Sequence, residues 1–346
     1  MPHSPQAGST RAATDDRVVV PLALPQPQAH LSVVAEAHGA ATHPDPQPDW
    51  LAAIGWTPAH APLSRGRRIG LVDGPVDPAS PLLPPGARVV RYRFSEAGLA
   101  ERDDGPLDCA SDHGSRSAAT LLAVAPEAEV HAFALPATFR RGAGSPLALL
   151  VAICELALQG VDVICVNAVS RSLAGFVNAF AAPEVALDAL RRHLAELEYY
   201  QAVGQLLRAS IVAAPLLVAG TGNDSRPGVR LPPAQPAAAW GGVAVGAVDA
   251  DRAPCSFSHG GPHVVAPGHI ALRTGDHAAS FRGTSAAAAI TAGVAALWAG
   301  HRGLQRGDRE RLRADLVAHA RSDWRVGAPL PDDVGAGIVQ VPPLTR

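Results

Sequence analysis

Aromatic residues are scarce in this chain, 4% of 346 positions, so its core must be built mostly from Ala, Val, Leu and Ile. Basic residues are not in excess. The formal net charge is -2, which argues against a dedicated nucleic-acid binder and against a polybasic membrane anchor. The four cysteines, Cys109, Cys154, Cys165 and Cys255, form no Cys-x-x-Cys and no paired spacing of a zinc site. They read as reduced, mostly buried thiols. No segment is long and apolar enough to span a bilayer. The residues up to Asp16 are polar, with no basic stretch leading into an apolar one, and the run Val18–Leu24 is too short and too late for a signal peptide. These absences predict a cytoplasmic protein with no cofactor and no metal, and with neither nucleic acid nor membrane as a partner.

What is present is apolar material for a large core: 47% hydrophobic residues against 17% charged. Residues 1–65 are rich in Pro, Ala, His and Gln and read as an extension, in part without fixed structure, with one short strand near Arg17–Leu24. Order is expected from Arg67, giving a single domain over 66–346. Arg68–Asp73, Arg88–Phe94, Glu129–Leu135, Val161–Val166, Pro215–Ala219 and Gly242–Val248 read as strands. Ser111–Val124, Leu147–Gln159 and Thr284–Gly300 read as buried helices between them. Pro183 opens an amphipathic helix running to about Arg208, with Leu187, Leu190, Leu194 and Leu197 at helical spacing. The alternation predicts an α/β fold, a mostly parallel sheet with helices on both faces.

Three segments carry chemistry. Asp73 ends a buried strand, where α/β proteins build their sites, although an Asp there is more often a turn residue. His113 precedes Gly114 at the start of a buried helix, and the glycine lets another chain approach closely. Ser285 follows Gly283-Thr284 at the start of the Ala-rich helix. A serine there can be a simple N-cap, worth about 1 kcal/mol. The same position suits a nucleophile, because free N–H groups and the helix dipole favour negative charge beside it.

Together these segments resemble the subtilisin-like serine proteases, the subtilases. Asp73 corresponds to the acid, His113-Gly114-Ser115 is similar to the family's His-Gly-Thr, and Gly283-Thr284-Ser285 matches its Gly-Thr-Ser. The order Asp, His, Ser is that of subtilisin. Val218–Asp224 resembles the strand and loop that end in the oxyanion Asn, which implies Asn223. Ser256-Phe257-Ser258, Ala266-Pro267-Gly268 and Gly335-Ala336-Gly337 resemble further family segments, so the likeness runs from about Arg67 to Val341. It implies a subtilisin-like peptidase domain in which Ser285 is nucleophile, His113 general base and Asp73 the group orienting the base. Substrate-binding strands are implied at Asn167-Ala168-Val169-Ser170 and Ala219-Gly220-Thr221-Gly222, with Ser172-Leu173-Ala174-Gly175 as a competing alignment for the first.

The chain also departs from the family. Ala286–Ile290 stands where Met-Ala-Ser-Pro-His is usual, and Arg116 stands where the family has a second His. His259, His263, His269 and His277 lie close in sequence but fit no zinc spacing. The implied activity is hydrolysis of peptide bonds through an acyl-enzyme, with a peptide or protein as substrate and the processing of a precursor peptide as a role. Two alternatives stand beside it: a macrocyclase or transpeptidase on the same triad, and a non-catalytic peptide-binding scaffold. The oligomeric state is not legible.

Overall fold

The computed structural model describes residues 31–33, 46–105, 112–136, 146–170, 183–210, 214–238, 241–305, 307–324, 327 and 329–344. Along the chain the strands are β1 (Leu31–Val33), β2 (Arg68–Asp73), β3 (Arg88–Phe94), β4 (Ala100–Arg102), β5 (Glu129–Ala134), β6 (Val163–Val166), β7 (Ala168–Ser170), β8 (Leu216–Gly220), β9 (Val243–Val248), β10 (Val264–Pro267), β11 (His269–Thr274) and β12 (His277–Arg282). The helices are α1 (Trp50–Ala53), α2 (His113–Val124), α3 (Pro146–Leu158), α4 (Pro183–Ser210), α5 (Thr284–Arg302), α6 (Arg309–Ala318) and α7 (Pro331–Val334), with a 3-10 helix at Pro58–Ser64.

Eight strands form one sheet in the order β10-β9-β8-β6-β2-β5-β3-β4. Every neighbouring pair is parallel except β3 with β4. Strand β2 lies inside the sheet between β6 and β5, which is why its sequence is a continuous apolar run rather than an alternating one. Its side chains still alternate between the faces. Ile69 and Leu71 join the core formed with Leu121 and Leu122 of α2 and Ile290 and Leu297 of α5. Val72 joins the opposite core, with Leu149 and Leu156 of α3 and Tyr200 of α4. A Cβ on Gly70 would meet Ile164 and Leu156 on that second face. By the same parity, Asp73 belongs to the face covered by α2 and α5. Helices therefore cover both faces of a mostly parallel sheet, the expected architecture.

Packing begins earlier than Arg67. Trp50, Ile54, His60 and Ser64 are buried. Trp50 Nε1 donates to the Ala271 carbonyl at 3.0 Å, and Trp56 Nε1 to that of Val124 at 2.8 Å. Prolines at 58 and 62 break the periodicity that would have marked this stretch as ordered. The strand expected near Arg17–Leu24 lies outside the described residues. The described strand of this region is β1, antiparallel to β7, with Leu31 opposite Ser170 and Val33 opposite Ala168. Helix α4 forms as expected, but only part of its leucine stripe meets the core: Leu187, Leu190 and Leu194 are 48%, 40% and 50% exposed, Leu197 packs partly buried against the core, and Glu196 and Tyr200 are buried.

Candidate active site

Asp73 and His113 meet because β2 ends where α2 begins, on the same face of the sheet. His113 Nδ1 lies 2.7 Å from Asp73 Oδ1. The carboxylate accepts three further hydrogen bonds: from the Gly74 amide, from Ser117 Oγ at 2.6 Å and from Asn167 Nδ2 at 3.2 Å. Asn167 Nδ2 also donates to Ser117 Oγ at 2.8 Å. A buried carboxylate is costly unless its lone pairs are satisfied, and here both oxygens are. The contact with a carboxylate fixes the His113 tautomer with its proton on Nδ1, which leaves Nε2 as the acceptor. The approach of α2 to the end of β2 depends on Gly114, where a Cβ would lie 2.3 Å from the Gly74 carbonyl oxygen. The His113 ring stands edge-on to Phe281 at 5.2 Å. Arg116, in place of a histidine, donates to Asp112 Oδ2 at 2.8 Å and to the Ser280 carbonyl at 2.8 Å, tying α2 to β12.

Ser285 sits in the first turn of α5, the helix that packs on α2 through Gly293 and Val124. Its Oγ is buried and makes no hydrogen bond among the described residues. The first turn of α5 is capped from another segment. Thr284 N donates to Asn223 Oδ1 at 2.8 Å, and Thr284 Oγ1 to the same oxygen at 3.1 Å. With Oδ1 anchored, the Asn223 Nδ2 end lies over Gly283, where a Cβ would stand 2.8 Å from it. An amide donor and the positive end of a 19-residue helix thus converge beside a serine hydroxyl. Such a place can stabilise an oxyanion.

The expected substrate segments divide. Ala168, Val169 and Ser170 form β7, an edge that already carries the antiparallel β1. Asn167 is fully buried, and its side chain holds Asp73 instead of facing a cleft. Ala219 and Gly220 end β8. Thr221 and Gly222 are bound internally: Thr221 N donates to Val245 O and its carbonyl accepts from Ala234 N, while Gly222 N donates to Thr284 Oγ1. The competing segment Ser172–Gly175 lies outside the described residues. Sequence reasoning missed Ser117, which occurs one helical turn after His113, and Thr284, which had been read only as part of the serine motif.

Burial pushes the Cys165 thiol well above its ordinary value, with the nearby Asp73 charge adding to the effect, and it raises Cys154 and Cys255 as well. These three are free thiols, and a thiol so shifted is a poor nucleophile. Cys109 lies outside the described residues. The four clustered histidines separate: His259 packs on the Gly222 loop, His263 lies against Ala244 and Arg313, and His269 and His277 sit at opposite ends of β11 and β12. Among the described residues, no three His, Cys, Asp or Glu side chains gather as a metal site, and no helix is long and apolar enough to cross a membrane.

Solved structures of similar fold include the prenylagaramide maturation protease PagA, 23% identical over 82% of this chain and 97% of that one, with a TM-score of 0.57. Fervidolysin from Fervidobacterium pennivorans, a keratinolytic enzyme related to subtilisin, is 19% identical over 85% of this chain and 44% of its own, with a TM-score of 0.58. The patellamide maturation protease PatA is 22% identical over 80% of this chain and 94% of its own, with a TM-score of 0.52. No curated protein sequence matches the chain. The sequence profile of the subtilase family matches residues 64–337, which contain all the site residues above. The chain belongs to the subtilase family and is a serine protease, a hydrolase.

Proposed function

We propose that this protease cleaves a precursor peptide through an acyl-enzyme on Ser285. The observation that carries the reading is the Asp73–His113 contact at 2.7 Å, which leaves His113 Nε2 as a base on the face of the sheet shared with Ser285. In the first step Ser285 Oγ attacks the scissile carbonyl carbon and its proton passes to His113 Nε2. Asp73 keeps the imidazole oriented and stabilises its positive charge. The carbonyl oxygen becomes an oxyanion, bound by Asn223 Nδ2 and the Ser285 backbone N–H. Collapse of the tetrahedral adduct breaks the C–N bond, and His113 gives its proton to the leaving amine. A water then attacks the acyl carbon as its proton passes to His113 Nε2. Collapse of the second tetrahedral adduct breaks the acyl–Oγ bond, His113 returning that proton to Ser285 Oγ as the carboxylic acid product leaves. The absence of a hydrogen bond at Ser285 Oγ among the described residues is compatible with this, because catalytic contacts often tighten only with substrate bound.

The substrate is read as an extended peptide. The β7 edge at Ala168–Ser170 takes an antiparallel strand in β1, and a substrate strand would use the same backbone groups. Two proteins of similar fold bear the names of maturation proteases, which favours a precursor peptide over a nutritional protein. The test is labelling by a fluorophosphonate probe. The wild type should label, and folded Ser285→Ala and His113→Ala should not. A folded wild type that fails to label would leave a peptide-binding scaffold. Mass spectrometry of the products then separates hydrolysis, which adds one water, from amine capture, which adds none.

A further inference from the structure

The loop that carries Asn223 is held from behind by one side chain. His259 is 1% exposed, and its ring lies against Gly222, where a Cβ would be 2.6 Å from Cε1. Both ring nitrogens are engaged. The Asp224 backbone N–H donates to Nε2 at 3.0 Å, and Nδ1 lies 3.0 Å from the Pro232 carbonyl. An amide N–H can only donate and a carbonyl can only accept, so the ring must be neutral with its proton on Nδ1. The His259 backbone joins in: its N–H donates to Gly222 O at 3.2 Å, and its carbonyl accepts from Thr221 Oγ1 at 3.2 Å. Residues 221, 222 and 224 are therefore all fastened to one histidine. From the other side, Asn223 Oδ1 is fastened to Thr284.

We propose that His259 is a positioning residue for the oxyanion site, its neutral ring holding Asp224 N and so aiming the Asn223 side chain at the place where the oxyanion forms. The proposal rests on the reading of Asn223 as the oxyanion donor. Gly222 has a φ of +121°, so the peptide before Asn223 occupies a conformation that the loop alone does not enforce. Without the ring acceptor, the part-buried Asp224 N–H would lose this hydrogen bond, and the loop would relax toward another partner. A displacement of about 1 Å at a reacting centre costs on the order of 100-fold in rate.

The test is a double-mutant cycle read by the rate of fluorophosphonate labelling of Ser285, with His259→Leu and His259→Gln made in the wild type and in Asn223→Ala. Leu fills the space without an acceptor, whereas Gln supplies an amide oxygen for Asp224 N and an amide N–H for Pro232. The expected result is labelling about 10- to 100-fold slower in His259→Leu, largely recovered in His259→Gln, and no further slowing by His259→Leu once Asn223 is Ala. If His259→Leu slows labelling by the same factor with and without Asn223, or labels at the wild-type rate, the proposal is overturned and the oxyanion reading stands. Wild-type labelling by Asn223→Ala itself overturns the oxyanion reading and this proposal with it. Should the leucine variant not fold, His259→Asn replaces it, because its amide falls a methylene short of Asp224. Equal rates for Asn and Gln would then overturn the proposal.

Discussion

Asn167 donates its side-chain amide to Asp73 Oδ2 across 94 residues of sequence. The two meet because β6 and β2 are neighbours in the sheet, and Asn167 is the first residue beyond the end of β6. The carboxylate that orients His113 is itself oriented by this amide and by Ser117. In Asn167→Leu, Asp73 Oδ2 keeps Ser117 as its partner, and a leucine sits against a carboxylate. Stability should fall by about 1–3 kcal/mol, read from urea unfolding. Fluorophosphonate labelling should slow by roughly tenfold as the imidazole loosens. A folded variant that labels at the wild-type rate would show that the amide does not act through the base.

The pairing of β1 with β7 has a kinetic consequence under the proposed function. A segment of the same chain that lies on the substrate edge competes with substrate in cis. An occupant present nine-tenths of the time raises the apparent KM about tenfold, because only the vacant fraction binds. Deleting residues 1–33 should therefore lower KM for a peptide substrate and leave kcat unchanged. An unchanged KM would mean that β1 does not compete, or that substrate uses another edge.

His263 gives a pH dependence of stability. Its Nδ1 accepts from the Ala244 amide at 2.9 Å, and Arg313 Nη2 stands 3.0 Å from its Nε2. Burial, and then the Arg313 charge, hold its pKa below the ordinary value of 6.5. The folded state therefore resists the proton that the unfolded state accepts. Above about pH 6.5 both states are neutral and this contribution to stability is fully present. As the pH falls below that value the unfolded state protonates first, and stability drops until the folded pKa is reached. The slope is at most about 1.4 kcal/mol per pH unit, one proton's worth. Urea midpoints from pH 7.5 to 5 should show the decline, and His263→Gln should flatten it. Identical slopes in the two proteins would remove His263 from the account.

Much of this was legible in the chain. Buried parallel strands announce themselves as continuous apolar runs, so β2, β5, β6, β8 and β9 were found within about two residues of their observed bounds. The Ala-rich run after Ser285 could only be a buried helix, and its burial from Thr284 to Ala299 agrees. The motifs around Asp73, His113 and Ser285 fall in family order, and a local motif is by nature visible in sequence. The packing of residues 46–66 was not legible because its anchors, Trp50, Trp56 and His60, are single residues without period. The leucines of α4 followed a helical period correctly, yet periodicity says only that residues share a face and not what covers it.

The sequence alone determined which residues are candidates for the chemistry and which segments are strand or helix, since those depend on side-chain type and short-range spacing. The tertiary structure alone decided their partners. That Asn167 serves Asp73, that Thr284 anchors Asn223, and that His259 braces the loop from 35 residues away all follow from the order of strands in the sheet and the packing of α2 on α5. A buried polar group must find a partner wherever the fold brings one within about 3 Å, and distance along the chain sets no limit on which residue that is.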